Sequence, residues 1–323
     1  MSRNNNNLRQ ASLTIGLMFA AFSADGLAQS SPGEWLDRMT DVASGMNYEG
    51  TVIRSQNGTS DTLKVARKIV DGVINERLTT QEGNGLEIIR VGNEVHCILP
   101  DKQSVLVEEW NNQSTLFSAL PGSDVRYAAQ YDVSLVREDR VAGRSAVMLA
   151  IRPHDEYRFG HRIWLDQKTA FPLKTQLIDV DGDIIEQVKF AEIRFGSSVS
   201  QNVLTPSVSI ESFTWYKEPA RYQKVDVDTL WNSADIPPGF RTMSTKTEIE
   251  SASDAAVTHI VYSDGLADVS VFVTEASDKG ITGASKLGTS NSYSTQLGDF
   301  QITAVGKVPA STVQRIATSM QQQ

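Results

Sequence analysis

Two periods of apolar residues follow one another along this chain. Trp35, Met39, Val42 and Met46 recur at i, i+4, i+7 and i+11, with Leu36 and Ala43 beside them. That spacing predicts one amphipathic helix of about three turns, started by Ser31-Pro32 and stopped near Gly45. The period then changes to two. The runs YEGTVIRS, TLKVARKIV, VINERLTT, LEIIRVG, EVHCILP and SVLVEEW read as short strands, with Asn57-Gly58, Asp71-Gly72 and Gly92-Asn93 between them. Such dipeptides favour the positive φ angles of tight hairpins. The prediction is an antiparallel meander.

Leu116, Phe117 and Leu120 then form a short helix-like turn. Strands resume through SLVREDRVAGRSAVMLAIRP and YRFGHRIWLDQKTAFPLKTQLIDVDGDIIEQVKF, ending near Phe195. From Gly196 to about Asp228 the alternation fails, which reads as a tail and a linker. A second unit begins at LWNSADIPPGF and contains the strand-like THIVYSDGLADVSVFVTEA and FQITAVGKV. It closes on a helix from Pro309, where Val313, Ile316, Ala317 and Met320 share a face. The division expected is 29–212 for the first domain, 213–228 for a linker and 229–323 for the second.

The first residues belong to neither domain. MSRNNNNLRQ carries Arg3 and Arg9 without an acid, ASLTIGLMFAAF is an apolar run, and Gly26-Leu27-Ala28 offers small residues before a cut at Gln29. These are the three parts of a secretory signal peptide, residues 1–28, cleaved near Ala28. The apolar run is short for a membrane span. A soluble periplasmic protein is expected. Removing residues 1–28 takes away two arginines and Asp25, so the net charge of −9 becomes −10. An acidic exported chain is poorly suited to nucleic acid, whose affinity comes largely from neutralising phosphates. Cys97 has no second cysteine to pair with inside the chain; it reads as a small buried hydrophobe, with a reactive or dimer-forming thiol as the alternative.

No nucleophile elbow, zinc-protease helix or P-loop occurs. His154, Asp155, Glu156 and His161 look like metal ligands on a string. With a hairpin turn at Asp155-Glu156, however, His161 lies about 13 Å up the second arm, too far for ligands that must all sit about 2 Å from a metal. A solvated hairpin tip is expected, and no metal or cofactor. The apolar side of the following strands says more. If Gln167–Phe171 is a loop and Asp181-Gly182 a turn, Leu165 opposes Leu173, Ile163 opposes Thr175 and His161 opposes Leu177. Leu177 then opposes Glu186, Thr175 opposes Val188, and Leu173 opposes Phe190. One face collects Phe159, Ile163, Leu165, Leu173, Leu177, Val188 and Phe190; the other carries Arg158, Arg162, Lys174, Gln176, Gln187 and Lys189. A one-sided sheet must cover its apolar face, and the helix and turn at hand are short. Either the core closes on them, or a hollow remains that fits a lipid chain or hydrophobic peptide. Ten buried methylenes would contribute about 8 kcal/mol before ordering costs. Glu186 is the misfit on this face and should find an arginine or lie at the rim.

Several segments together carry a family resemblance. They are Arg140-Val141-Ala142-Gly143-Arg144, the RPHDEYRFGHRIWLD of 152–166, the PLKTQLIDVDGDIIEQVKF of 172–190, Pro237–Phe240, the YSDGL of 262–266 and the VGKVP of 305–309. In order and spacing the chain resembles the RseB/MucB family from about Glu34 to Met320. The resemblance implies an α+β protein: an N-terminal LolA/LolB-like curved antiparallel half-barrel over helices, plus a smaller C-terminal α/β sheet-and-helix domain. It implies no catalysis. It implies a periplasmic regulator of the sigma-E (AlgU) envelope-stress pathway. Such a regulator binds the periplasmic part of an RseA/MucA-type anti-sigma factor, protects it from site-1 proteolysis, and is released by lipopolysaccharide or mislocalised lipid. Trp35, Met39, Phe117 and Leu120 with the seven apolar residues above would line a lipid-sensing hollow. Phe240, Tyr262 and Phe272 would contact the anti-sigma factor. The family often has Tyr-Gly where this chain has Phe159-Gly160, which removes one hydroxyl. A lipid or lipoprotein carrier is the alternative, although the second domain has no evident use in one; a hydrolase is the third reading and has no motif behind it. Oligomeric state, a homo-oligomer included, is left open.

Overall fold

The computed structural model describes Met1 and residues 30–322, apart from 57, 110–115, 117–119, 121–128, 197–198, 218–221, 226–230, 251–255 and 278–279. The signal-peptide reading of 1–28, the cut near Ala28, most of the turn around Leu116–Leu120, and Phe117 itself therefore lie outside the described residues. Helix α1 (Pro32–Gly45) forms where the apolar stripe places it. The Ser31 hydroxyl accepts from the Glu34 N–H at 3.2 Å, and the Glu34 carboxylate accepts from the Ser31 N–H at 2.7 Å. With Pro32 at the first turn, this capping box satisfies donors that the helix start leaves open.

The strands that follow build one sheet in two meanders. The first is β1 (Tyr48–Gln56), β2 (Thr59–Val70), β3 (Val73–Thr80), β4 (Glu87–Val91), β5 (Glu94–Leu99) and β6 (Ser104–Glu109). The second is β7 (Tyr131–Val141), β8 (Arg144–Pro153), β9 (Gly160–Asp166), β10 (Pro172–Ile178) and β11 (Ile184–Phe195). Antiparallel pairing of β1 with β11 joins them. A further strand, β12 (Thr214–Lys217), adds in parallel to β6, so the order runs β12-β6-β5-β4-β3-β2-β1-β11-β10-β9-β8-β7. The sheet ends on β12 and β7, as expected of an unclosed curved sheet.

The stretch after β11, read from sequence as a tail, covers one face of the first meander. Val199 and Leu204 pack on Ala66, and Ile210 and Phe213 on Ile89, Ile98, Val105 and Val107. Ser207 donates to the buried Glu87 carboxylate, which also takes a 2.9 Å ion pair from Arg77. On the opposite face a row of charged side chains is fully buried. Tyr48, Arg67, Glu76 and Arg90 stand in cross-strand register on β1 to β4. Tyr48 donates to Glu76 at 3.1 Å, and Arg67 donates to the Ser44 carbonyl at 2.8 Å. Arg67 thereby places a cation at the C-terminal end of α1, where the helix dipole favours one.

The second lobe carries the sheet order β13-β15-β16-β17-β20-β19-β18. Its strands are β13 (Tyr222–Val225), β15 (Arg241–Glu250), β16 (Ala256–Ser263), β17 (Asp268–Glu275), β18 (Gly283–Leu287), β19 (Ser290–Leu297) and β20 (Phe300–Gly306). Helix α2 (Ala310–Thr318) buries Val313, Ile316 and Ala317 against Ile260, Tyr262, Val271 and Ile302. A small pair, β14 (Trp231–Ser233) with β21 (Met320–Gln322), closes the chain's end.

Candidate functional site

The register read from sequence holds at four places. Ile163 opposes Thr175, His161 opposes Leu177, Leu177 opposes Glu186, and Thr175 opposes Val188. It slips at one. A bulge between Pro172 and Lys174 sets Leu165 against Pro172 instead of Leu173. Helix α1 lies over part of this face: Trp35, Leu36 and Met39 pack with Leu149, Ile151, Ile163 and Leu165. Leu173, Val188 and Phe190 join a second cluster around Tyr48 and Phe171. Trp35, Met39, Leu165, Leu173 and Phe190 are thus packed core.

Beyond the helix a hollow remains. One chamber of about 250 Å³ is lined by Leu120, Phe159, Ile163, Leu177 and Val188 among others, five of the residues expected to face a lipid. A second chamber of about 280 Å³ lies over Leu63, Leu78 and Ile88, and shares Leu116, Val188, Glu186 and Lys307 with the first. The wall facing the sheet is supplied by the second lobe: Gly265 to Asp268, and Lys307. Glu186 projects into the hollow and pairs with Lys307 at 2.9 Å, while Thr289 donates to it at 3.2 Å. Its partner is a lysine of the other lobe, where sequence suggested an arginine. His161 also lines the chamber; burial, with a smaller push from Lys307, lowers its pKa to about 4. It is neutral at pH 7.

The loop between β8 and β9 is solvated at His154 and Glu156, as expected of a hairpin tip, but not beyond them. Arg158, placed by alternation on the outer charged face, is fully buried between the lobes. Its guanidinium pairs with Asp264 at 2.7 Å and Asp155 at 3.1 Å, and donates to the Pro238 carbonyl at 2.5 Å. It also lies over the rings of Tyr131 and Phe240. The Tyr131 hydroxyl donates to the same Asp264 carboxylate at 2.7 Å; burial and that negative charge raise the Tyr131 pKa. Beside this hub, Thr312 donates to the Tyr157 carbonyl at 2.8 Å and Arg315 to the Tyr157 hydroxyl at 2.5 Å. Leu266 inserts into the cluster beneath α1. His154 faces away, paired with Asp132 at 3.0 Å, so the two histidines do not converge.

Of the residues expected to meet a protein partner, Phe240 and Tyr262 are core, and Tyr262 accepts the Ser233 N–H at 2.9 Å. Phe272 differs. It lies half-buried in mid-strand, stacked at 4.5 Å on His259 and outside the cluster packed on α2. Cys97 is half-buried, its pKa raised by burial and by Glu108. Sequence reasoning missed Arg158, Asp264, Tyr131, Lys307 and Thr289, because contacts across lobes leave no local periodicity. The Asp-Gly turn of YSDGL was the nearest signal.

Comparison with known proteins fits this architecture. The profile of the MucB/RseB N-terminal domain matches residues 31–208, and that of the MucB/RseB C-terminal domain matches 226–321. The chain belongs to the MucB/RseB family. It is 28% identical over 319 residues to the sigma factor AlgU regulatory protein MucB of Pseudomonas aeruginosa, covering 97% of this chain and 98% of that protein. It is 24% identical over 311 residues to the sigma-E factor regulatory protein RseB of Haemophilus influenzae, covering 96% of each. The solved complex of Pseudomonas aeruginosa MucA/MucB matches with a TM-score of 0.71 at 26% identity, over 91% of this chain and 99% of that one. A structure of MucB in complex with MucA(peri) matches with a TM-score of 0.69 at 28% identity, over the same shares. Both lobes of this MucB/RseB chain therefore have counterparts in a solved two-lobed relative.

Proposed function

We infer that this protein is a periplasmic regulator that binds the periplasmic part of an RseA/MucA-type anti-sigma factor. By binding it shields that factor from site-1 proteolysis, and it lets go when lipopolysaccharide or mislocalised lipid fills the hollow. The observation that carries the reading is the likeness over 91% of the chain to MucB in complex with MucA(peri). The apolar hollow supports the lipid half of the reading, with Leu120, Phe159, Ile163, Leu177 and Val188 as the chain-binding wall. A hydrocarbon there gains the transfer energy of its buried surface without needing a charged pocket. The half-buried face around Phe272 is the better candidate for the anti-sigma contact, since Phe240 and Tyr262 hold the core. Residues 29–212 would sense, 229–323 would grip, and 213–228 would connect. In this reading the molecule binds and does not turn over a substrate, and it acts in the periplasm after losing residues 1–28.

The test is a protease assay on an anti-sigma periplasmic domain. Added protein should slow site-1 cleavage, and lipopolysaccharide should restore it. Unchanged cleavage together with no complex in a pull-down overturns the reading. Stoichiometric lipid transfer to an acceptor without any effect on cleavage would make the protein a carrier.

A further inference from the structure

The hollow is apolar along the sheet and charged where the lobes meet. Lys307 contributes to both chambers, and its ammonium is held by Glu186, whose carboxylate also takes the Thr289 hydroxyl. The other charged or titratable groups facing the chambers are His161, which is neutral, Asp268, and Arg54 with Asp61 at the far end of the second chamber. Arg54 stands opposite Asp61 in the β1–β2 register. Among the described residues, Lys307 is thus the one lysine or arginine that lines the chamber of Phe159, Leu177 and Val188. The Glu186–Lys307 contact also crosses between the lobes, and its side chains are 16% and 38% exposed, whereas the Arg158–Asp264 pair is dry at 0% and 1%. A partly wet ion pair exchanges partners at small cost, and a dry one does not.

We propose that Lys307 is the headgroup contact of the hollow. An amphiphile with an anionic group would place its chain along the sheet wall and its charge on Lys307, displacing Glu186 and so undoing a polar joint between the lobes. The dry hub of Arg158 with Asp264, and the Tyr157 contacts beside it, persist as a pivot. This rests on the reading of the hollow as a lipid site and adds the class of ligand and the way its arrival reaches the second lobe. Occupancy and lobe closure become competitors for one ammonium, and a ligand lacking the charge would fill the hollow without opening it.

Calorimetric titration of the mature protein with dodecyl phosphate and with dodecyl maltoside, both below their micellar concentrations, tests the assignment. Dodecyl phosphate should bind about tenfold more tightly, the worth of one charge-assisted hydrogen bond. Lys307→Met should erase that preference and keep maltoside binding, and Lys307→Arg should retain it. Glu186→Gln should tighten the phosphate probe. Amide hydrogen exchange around Thr289 should rise with dodecyl phosphate and not with maltoside, and should already be raised in Glu186→Gln. A preference that survives Lys307→Met, or exchange indifferent to the headgroup, overturns the proposal and leaves the hollow a lipid site. Binding of neither probe by any variant overturns both.

Discussion

The Arg158 guanidinium meets the Asp264 carboxylate at 2.7 Å across 106 residues of chain, and neither side chain is more than 1% exposed. Breaking such a pair from one side leaves a charge in a dry site, which costs about 3–5 kcal/mol. Arg158→Met is therefore expected to lower unfolding stability by that order in urea titrations. Arg158→Met/Asp264→Leu should recover a large part of it. A single variant as stable as the parent would show that the hub contributes nothing to holding the lobes.

Acid should weaken the fold through His161. In the unfolded chain its imidazole protonates near 6.5, and in the folded one only near 4. Between those values the unfolded state holds the extra proton, so stability falls as pH drops from about 7 towards 4. The loss contributed by this group approaches roughly 3 kcal/mol, less whatever water in the adjoining chamber relieves. His161→Gln should flatten the stability slope over that window, measured by denaturant midpoints at successive pH values. An unaltered slope would assign the acid sensitivity elsewhere.

Glu76 stands between Arg67 and Arg90 in the strand register and accepts the Tyr48 hydroxyl, all four buried in one row. Glu76→Gln keeps the shape and removes the negative charge, leaving two buried guanidinium groups to repel. A loss of about 3 kcal/mol is expected. In a double-mutant cycle, adding Arg67→Met should cost less than it does alone. Additive losses would mean that the row carries no coupling.

Phe272 and Phe240 should separate binding from folding. Phe272→Ala removes a half-buried ring and should weaken anti-sigma binding with little change in melting temperature. Phe240→Ala removes a core ring over Arg158 and should destabilise by about 3–5 kcal/mol. Full affinity in the Phe272 variant would move the contact to another face.

Local patterns reached much of the fold. The stripe of α1, the strands from Tyr48 to Glu109 and the face shared by Ile163, Leu177 and Val188 follow from period and turn chemistry, because each is decided by neighbours close in sequence. The slip at Leu165 came from a bulge that alternation does not signal. Arg158 was misplaced for a different reason: it sits in a loop whose partners, Pro238 and Asp264, lie on another lobe. The hollow was half legible. Its sheet wall could be derived by register, and its opposite wall, at Gly265–Asp268 and Lys307, could not.

The parallel pairing of Thr214–Lys217 with Ser104–Val107 has a mechanical consequence. It moors the chain at the sheet's outermost strand, and the next strand of the other lobe begins at Tyr222. Five Cα steps of 3.8 Å join Lys217 to Tyr222, so those two points can never part by more than about 19 Å while both strands hold. Any separation of the lobes is a swing on a short leash. A partner that peeled Thr214–Lys217 off its neighbour would let out slack, so the leash length is itself adjustable.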